Sequence, residues 1–104
     1  MMGIKTFAMN KGEIINAIFD IIELQNGELL FSDSRRGRVH FRLTMYGYSW
    51  ELLYTINDMG ECKCDVSLRV VGDKQDKTRE IRREFALLET ILNGGVNVRI
   101  IDNY

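Results

Sequence analysis

The strongest constraint on what this chain can fold into is a series of three segments in which every second residue is apolar. From Arg38 to Met45, Val39, Phe41, Leu43 and Met45 alternate with Arg38, His40, Arg42 and Thr44. From Tyr48 to Ile56, Trp50, Leu52, Tyr54 and Ile56 alternate with Glu51, Leu53 and Thr55. From Cys62 to Val71, Cys62, Cys64, Val66, Leu68 and Val70 alternate with Lys63, Asp65, Ser67 and Arg69. Period-two patterning with one polar side is the signature of antiparallel strands that have one wet face. Gly47 and the run Asn57-Asp58-Met59-Gly60 supply the intervening turns. Ile4–Met9 and Glu28–Ser32 read as two further short strands, and the polar turn opening at Ser32-Asp33-Ser34 closes at Gly37.

Two segments follow the helical period instead. Ile14, Ile18, Ile21 and Ile22, widened by Ile15 and Phe19, form an apolar stripe on a helix ending near Gln25. Asn10 with Glu13 three residues later predicts its N-terminal cap, and Asn26-Gly27 its C-terminal stop. A second stripe of Ile81, Phe85, Leu88 and Leu92, widened by Leu87 and Ile91, predicts a later helix capped by Asp73 or Asp76 and ended at Asn93-Gly94-Gly95. Arg79, Arg82, Arg83, Glu80 and Glu84 fall on its expected wet side. Val96–Ile101 reads as a final short strand. The expected fold is a two-layer α+β domain over residues 1–104, with a mainly antiparallel sheet and both helices on one face, in the order β-α-β-β-β-β-α-β. A chain of 104 residues makes one domain, large enough to fold around one core without disulfides or a structural metal.

The course from Lys5-Thr6-Phe7-Ala8-Met9-Asn10 through Trp50-Glu51-Leu52 to the closing helix near Leu92 resembles small bacterial proteins of unknown function. These are in turn similar to trimmed helix-grip (START-like) domains, in which a curved antiparallel sheet wraps a long C-terminal helix. The resemblance spans about residues 4–92 and leaves the 96–101 tail outside. It lacks the pair of short helices and two of the strands that frame the ligand cavity in the full pattern, which implies little room for a ligand.

The inventory for catalysis is thin, and the chain is expected not to be an enzyme. Its one histidine, His40, stands between Arg38 and Arg42 with no nucleophile placed beside it by sequence, so a surface role in a cross-strand polar layer is expected. Two cysteines and one histidine cannot complete a structural zinc site; on a strand, Cys62 and Cys64 would sit about 7 Å apart, too far for an unstrained disulfide. No phosphate loop or calcium loop occurs, so no cofactor and no metal is expected. The N-terminus lacks a secretory apolar stretch and no apolar run approaches the ~18 residues of a membrane span, so a cytoplasmic protein is expected.

Three binding functions remain. Self-association, as a homodimer, or pairing with a protein partner ranks first, because a sheet of this kind ends in unpaired edge strands and no proline blocks them. A small apolar ligand between the sheet and the C-terminal helix ranks second; Phe19, Phe41, Trp50, Tyr54 and Phe85, with Phe7 and Phe31, are the candidate pocket. Single-stranded nucleic acid ranks third. Residues 34–48 hold four arginines and no acid, yet the chain carries a net charge of −1, and Glu51 and Asp65 stand ready to pair with the arginines. The candidate contact surface comprises Arg38, His40, Arg42 and Tyr46, the last expected to point outward at the Gly47 bend.

Overall fold

Alternation in the sequence becomes a single antiparallel ladder. The structure, a computed structural model, describes residues 2–72 and 78–93. Its elements are β1 (Met2–Phe7), α1 (Lys11–Leu24), β2 (Glu28–Asp33), β3 (Arg38–Met45), β4 (Tyr48–Asp58), β5 (Cys64–Val71) and α2 (Thr78–Leu92). The five strands lie in the order β1-β5-β4-β3-β2, each antiparallel to its neighbours. The α+β class and the order β-α-β-β-β-β-α are those expected. The expected caps Asp73 and Asp76 and the expected strand Val96–Ile101 lie outside the described residues.

α1 starts and stops as its terminal residues dictate. The Asn10 side-chain oxygen accepts the Glu13 N–H at 2.9 Å, and the Asn10 amide donates to the Glu13 carboxylate at 2.6 Å. At the other end Asn26 takes a left-handed conformation (φ 54°). There Gly27 N–H reaches the Ile22 carbonyl and Asn26 N–H the Glu23 carbonyl, satisfying acceptors the helix leaves open. Ile14, Ile15, Ala17, Ile18, Ile21 and Ile22 are thereby buried against the sheet.

The inner face of the sheet is the core. Val39, Phe41, Leu43, Leu52, Tyr54, Ile56, Cys64, Val66 and Leu68 are all buried beneath the two helices. α2 crosses from the β3–β4 hairpin, where Arg83 Nη1 meets Met45 Sδ at 3.5 Å, to β1, where Lys5 pairs with Glu89. β1 accepts the helix closely because it has a glycine there: a Cβ on Gly3 would lie 2.8 Å from both Ile81 and Phe85 side-chain atoms.

Two boundaries differ from expectation. β1 ends at Phe7, with Ala8 and Met9 forming a bend. β5 starts at Cys64 because the chain is still turning at Cys62. Gly60, Glu61 and Cys62 all have positive φ, Asp58 accepts the Gly60 N–H at 2.8 Å, and Met59 donates to the Lys63 carbonyl. Cys62 is therefore exposed while Cys64 is buried; both are free thiols. Phe31 also departs from its expected place. A bulge between Leu29 and Phe31 shifts the register so that Phe31 pairs with outward-facing His40, and it is 54% exposed.

Gly37 fixes where the β2–β3 turn meets the sheet. Its φ is +67°, its carbonyl accepts the Ile56 N–H at 2.7 Å, and a Cβ there would run into the Ile56 carbonyl. Gly37→Ala should therefore destabilise the fold by about 2 kcal/mol or more, combining left-handed strain with backbone overlap. In thermal unfolding this corresponds to a melting temperature lower by roughly 10 °C.

Candidate functional site

The expected contact surface divides in two. Arg38, His40 and Arg42 lie on the outer face of β3, where acids from neighbouring strands engage His40 and Arg42. Arg42 reaches Glu28 at 3.1 Å and Glu51 at 3.5 Å, and His40 Nε2 sits 2.8 Å from Glu51. The expected pairing with Glu51 is present; Asp65 instead accepts the Thr6 hydroxyl at 2.7 Å. Tyr46 is not part of this face. It stands 97% exposed at the tip of the β3–β4 hairpin, pointing outward as expected, and lines a cavity on the helix side.

The expected pocket residues also separate. Phe41 and Tyr54 are fully buried and stack with ring centres 5.8 Å apart; Phe85 meets Tyr54 edge-on at 6.4 Å. All three rings belong to the core, Phe41 and Tyr54 filled around on every side and Phe85 also bordering a second cavity against β1. Phe19 borders a shallow groove beside β2 with Ile22 and Leu29. Trp50 alone of the five lines a cavity at the β3–β4 hairpin, which has a volume of about 380 Å³. That exceeds the ~300 Å³ at which small-molecule pockets begin, so more room remains than the trimmed layout implies.

The cavity forms where α1 ends, α2 begins and the β3–β4 hairpin passes both. Gln25 comes from α1; Leu43, Met45, Tyr46, Tyr48 and Trp50 come from the hairpin; Arg79, Glu80, Arg83 and Glu84 come from α2. Glu84 corrects the sequence expectation most sharply. It is 1% exposed, not on the wet side of the helix. It lies three residues after Ile81 and four before Leu88, which sets it on the flank of the apolar stripe. Periodicity thus contained the signal, and the residue's charge masked it.

Glu84 closes the inner wall of the cavity in an under-satisfied polar cluster. Its Oε1, the Tyr54 hydroxyl and Gln25 Oε1 are buried without a hydrogen-bond partner among the described residues. Burial pushes the Glu84 carboxyl up to about 7, against the smaller opposing pulls of the Gln25 side chain and the Arg83 charge. Burial, reinforced by Glu84, also raises the Tyr54 phenol well above its ordinary value. Near neutrality the carboxyl is therefore divided between a form that donates a hydrogen bond and one that only accepts. Groups of this kind concentrate at ligand and reaction sites. Among the described residues no cluster of three His, Cys, Asp or Glu converges as a metal site, and no helix is long and apolar enough to cross a membrane.

No protein-family model matches the chain, and no curated protein matches it in sequence. Among solved structures it is similar to the di-domain ARO/CYC StfQ from the steffimycin biosynthetic pathway, with a TM-score of 0.59 and 11% identity. The match covers 88% of this chain and 43% of that one, so this chain spans less than half the length of the structure it resembles. The likeness is one of fold: an α+β sheet gripping a helix, as in that aromatase/cyclase.

The position of Glu84 gives a signed pH dependence. The folded carboxyl keeps its proton to about pH 7, whereas the unfolded one releases it near the usual 4.5. Stability from this group is therefore full at acid pH and declines as pH rises from 4.5 through 7, by on the order of 3 kcal/mol. Glu84→Gln should match the wild type at pH 4.5 and exceed it by up to that amount at pH 8, in parallel urea titrations. Equal pH profiles for the two proteins would show that Glu84 ionises without a burial penalty.

Proposed function

We propose that the chain binds a small, largely apolar molecule in the cavity between the β3–β4 hairpin and α2, with Glu84 as its inner polar contact. The observation that carries this is a carboxyl, 1% exposed, with one oxygen lacking a hydrogen-bond partner among the described residues, on a residue that lines a cavity large enough for a ligand. A glutamine would fill the same space without the ionisation penalty, so the fold alone gives no reason for an acid there. Shared fold does not transfer an activity, and the aromatase/cyclase likeness adds only that a sheet gripping a helix is a scaffold found in a protein of a biosynthetic pathway. The proposed role is binding, not catalysis: among the described lining residues no Ser, Thr, Cys or His accompanies Glu84 as a nucleophile or partner base.

Native mass spectrometry of the full chain, purified from a heterologous host without dialysis, tests this reading. A discrete small-molecule adduct is expected. Adding that molecule back to stripped protein at about a hundredfold over its Kd should stabilise it by about 2.7 kcal/mol. A bare chain that no apolar compound stabilises would refute ligand binding.

The free edge of β2 supports a second reading, pairing with another copy. β2 has one hydrogen-bonded neighbour among the described strands, carries neither proline nor lysine, and exposes Leu29 (47%) and Phe31 (54%). Sedimentation equilibrium should then show a dimer that Phe31→Lys dissociates. A wild-type monomer at high micromolar concentration would end that reading.

A further inference from the structure

The β3–β4 hairpin turns in two residues, Tyr46 and Gly47, between the paired Met45 and Tyr48. Both central residues have positive φ, 53° at Tyr46 and 81° at Gly47. This turn geometry suits Asn, Asp or Gly at its first central position, whereas a bulky side chain is strained in it. Tyr46 is also 97% exposed, so folding recovers almost nothing by burying its ring. Tyr48, two residues on, is 74% exposed. Both rings, with Trp50, line the same cavity whose inner wall is Glu84. The chain thus holds an aromatic ring in solvent, at a backbone position where asparagine fits better, over the opening of a cavity.

We propose that Tyr46 is a ligand-selecting residue: its ring stacks on a planar aromatic molecule seated in the cavity, so the occupant is an aromatic ring compound and not a flexible aliphatic chain. This rests on the ligand-binding function proposed above and names the class of ligand. Face-on or offset contact with a planar ring is what an exposed tyrosine offers that asparagine does not. A flexible alkyl chain would gain from the apolar wall of Leu43, Met45 and Trp50 but little from the Tyr46 ring. Strain located at the mouth of a cavity, away from the packed core, is where a functional constraint would place it.

Calorimetric titration of the full-length protein with naphthol, a planar ring pair, and with decanol, a flexible chain of equal carbon number, tests this. The wild type should bind naphthol more tightly than decanol. Tyr46→Asn should weaken naphthol about tenfold and leave decanol within about twofold, while the melting temperature stays level or rises. Tyr46→Phe, which keeps the ring, should bind naphthol like the wild type, and Tyr46→Gly should repeat the asparagine result. If the asparagine and glycine variants bind naphthol as the wild type does, or lose both probes equally, the selecting role of Tyr46 is wrong while ligand binding stands. A lower melting temperature in both would show that Tyr46 serves the turn itself, and would also overturn the proposal. If the wild type binds neither probe, ligand binding in this cavity fails, and this assignment with it.

Discussion

Two short helices have to cover an apolar sheet face whose longest strand outruns either of them. β4 runs for 11 residues, about 36 Å when extended, whereas α2 has 15 residues and spans about 22 Å. The helices bury the centre of the sheet, from Val39, Leu52 and Leu68 outward, to near-zero exposure. At the hairpin end, Tyr46 and Tyr48 stay exposed beside the start of α2. What remains between the end of α1, the start of α2 and that hairpin is the cavity.

The side chains at that position are ones a stability-driven sequence would avoid. Burying a carboxyl with one oxygen unpartnered is unfavourable, and the raised Glu84 pKa is that same penalty seen as proton affinity. The neighbouring charges are those of Arg83, which favours the ionised form, and of Arg79 and Glu80 on the same stretch of α2. Proteins keep such groups where a function needs them and stability elsewhere tolerates them. Here the surplus comes from the continuous ladder of β3, β4 and β5 and from the isoleucine-rich face of α1.

Most of the fold was legible because local and tertiary preferences agree. Val39, Phe41 and Leu43 alternate in the sequence and are buried in the sheet; Asn10, Glu13, Asn26 and Gly27 bound α1 in both. Legibility failed where a residue's chemistry contradicts its position. Glu84 sits on the apolar stripe by spacing but reads as surface by charge. Phe31 reads as core by hydropathy but is turned outward by a bulge that no sequence pattern marks. Cys62 continues the alternation of β5 on paper, yet three consecutive positive-φ residues keep it in the turn. The candidate site was less legible than the fold for the same reason. The aromatic list identified rings, and rings at strand centres such as Phe41 and Tyr54 are consumed by packing; of the five candidates only Trp50, near the strand end, lines the cavity.

The departures from local rules are not spread evenly, and their location carries functional weight. Glu61 and Cys62 have positive φ in the five-residue loop at the far end of β4, where a longer connection can take them up without a bulky ring in the turn. Tyr46 occupies the tighter two-residue turn at the near end, where the same backbone conformation must hold an exposed aromatic. Glu84 and Gln25, which line the cavity at that same end, each bury an oxygen without a hydrogen-bond partner among the described residues. A sequence consistent at every other level concentrates its violations at sites under a second selection. One cavity therefore joins a buried carboxyl and an exposed tyrosine with positive φ. Folding alone favours neither residue at its position, and both border the space that the proposed ligand would fill.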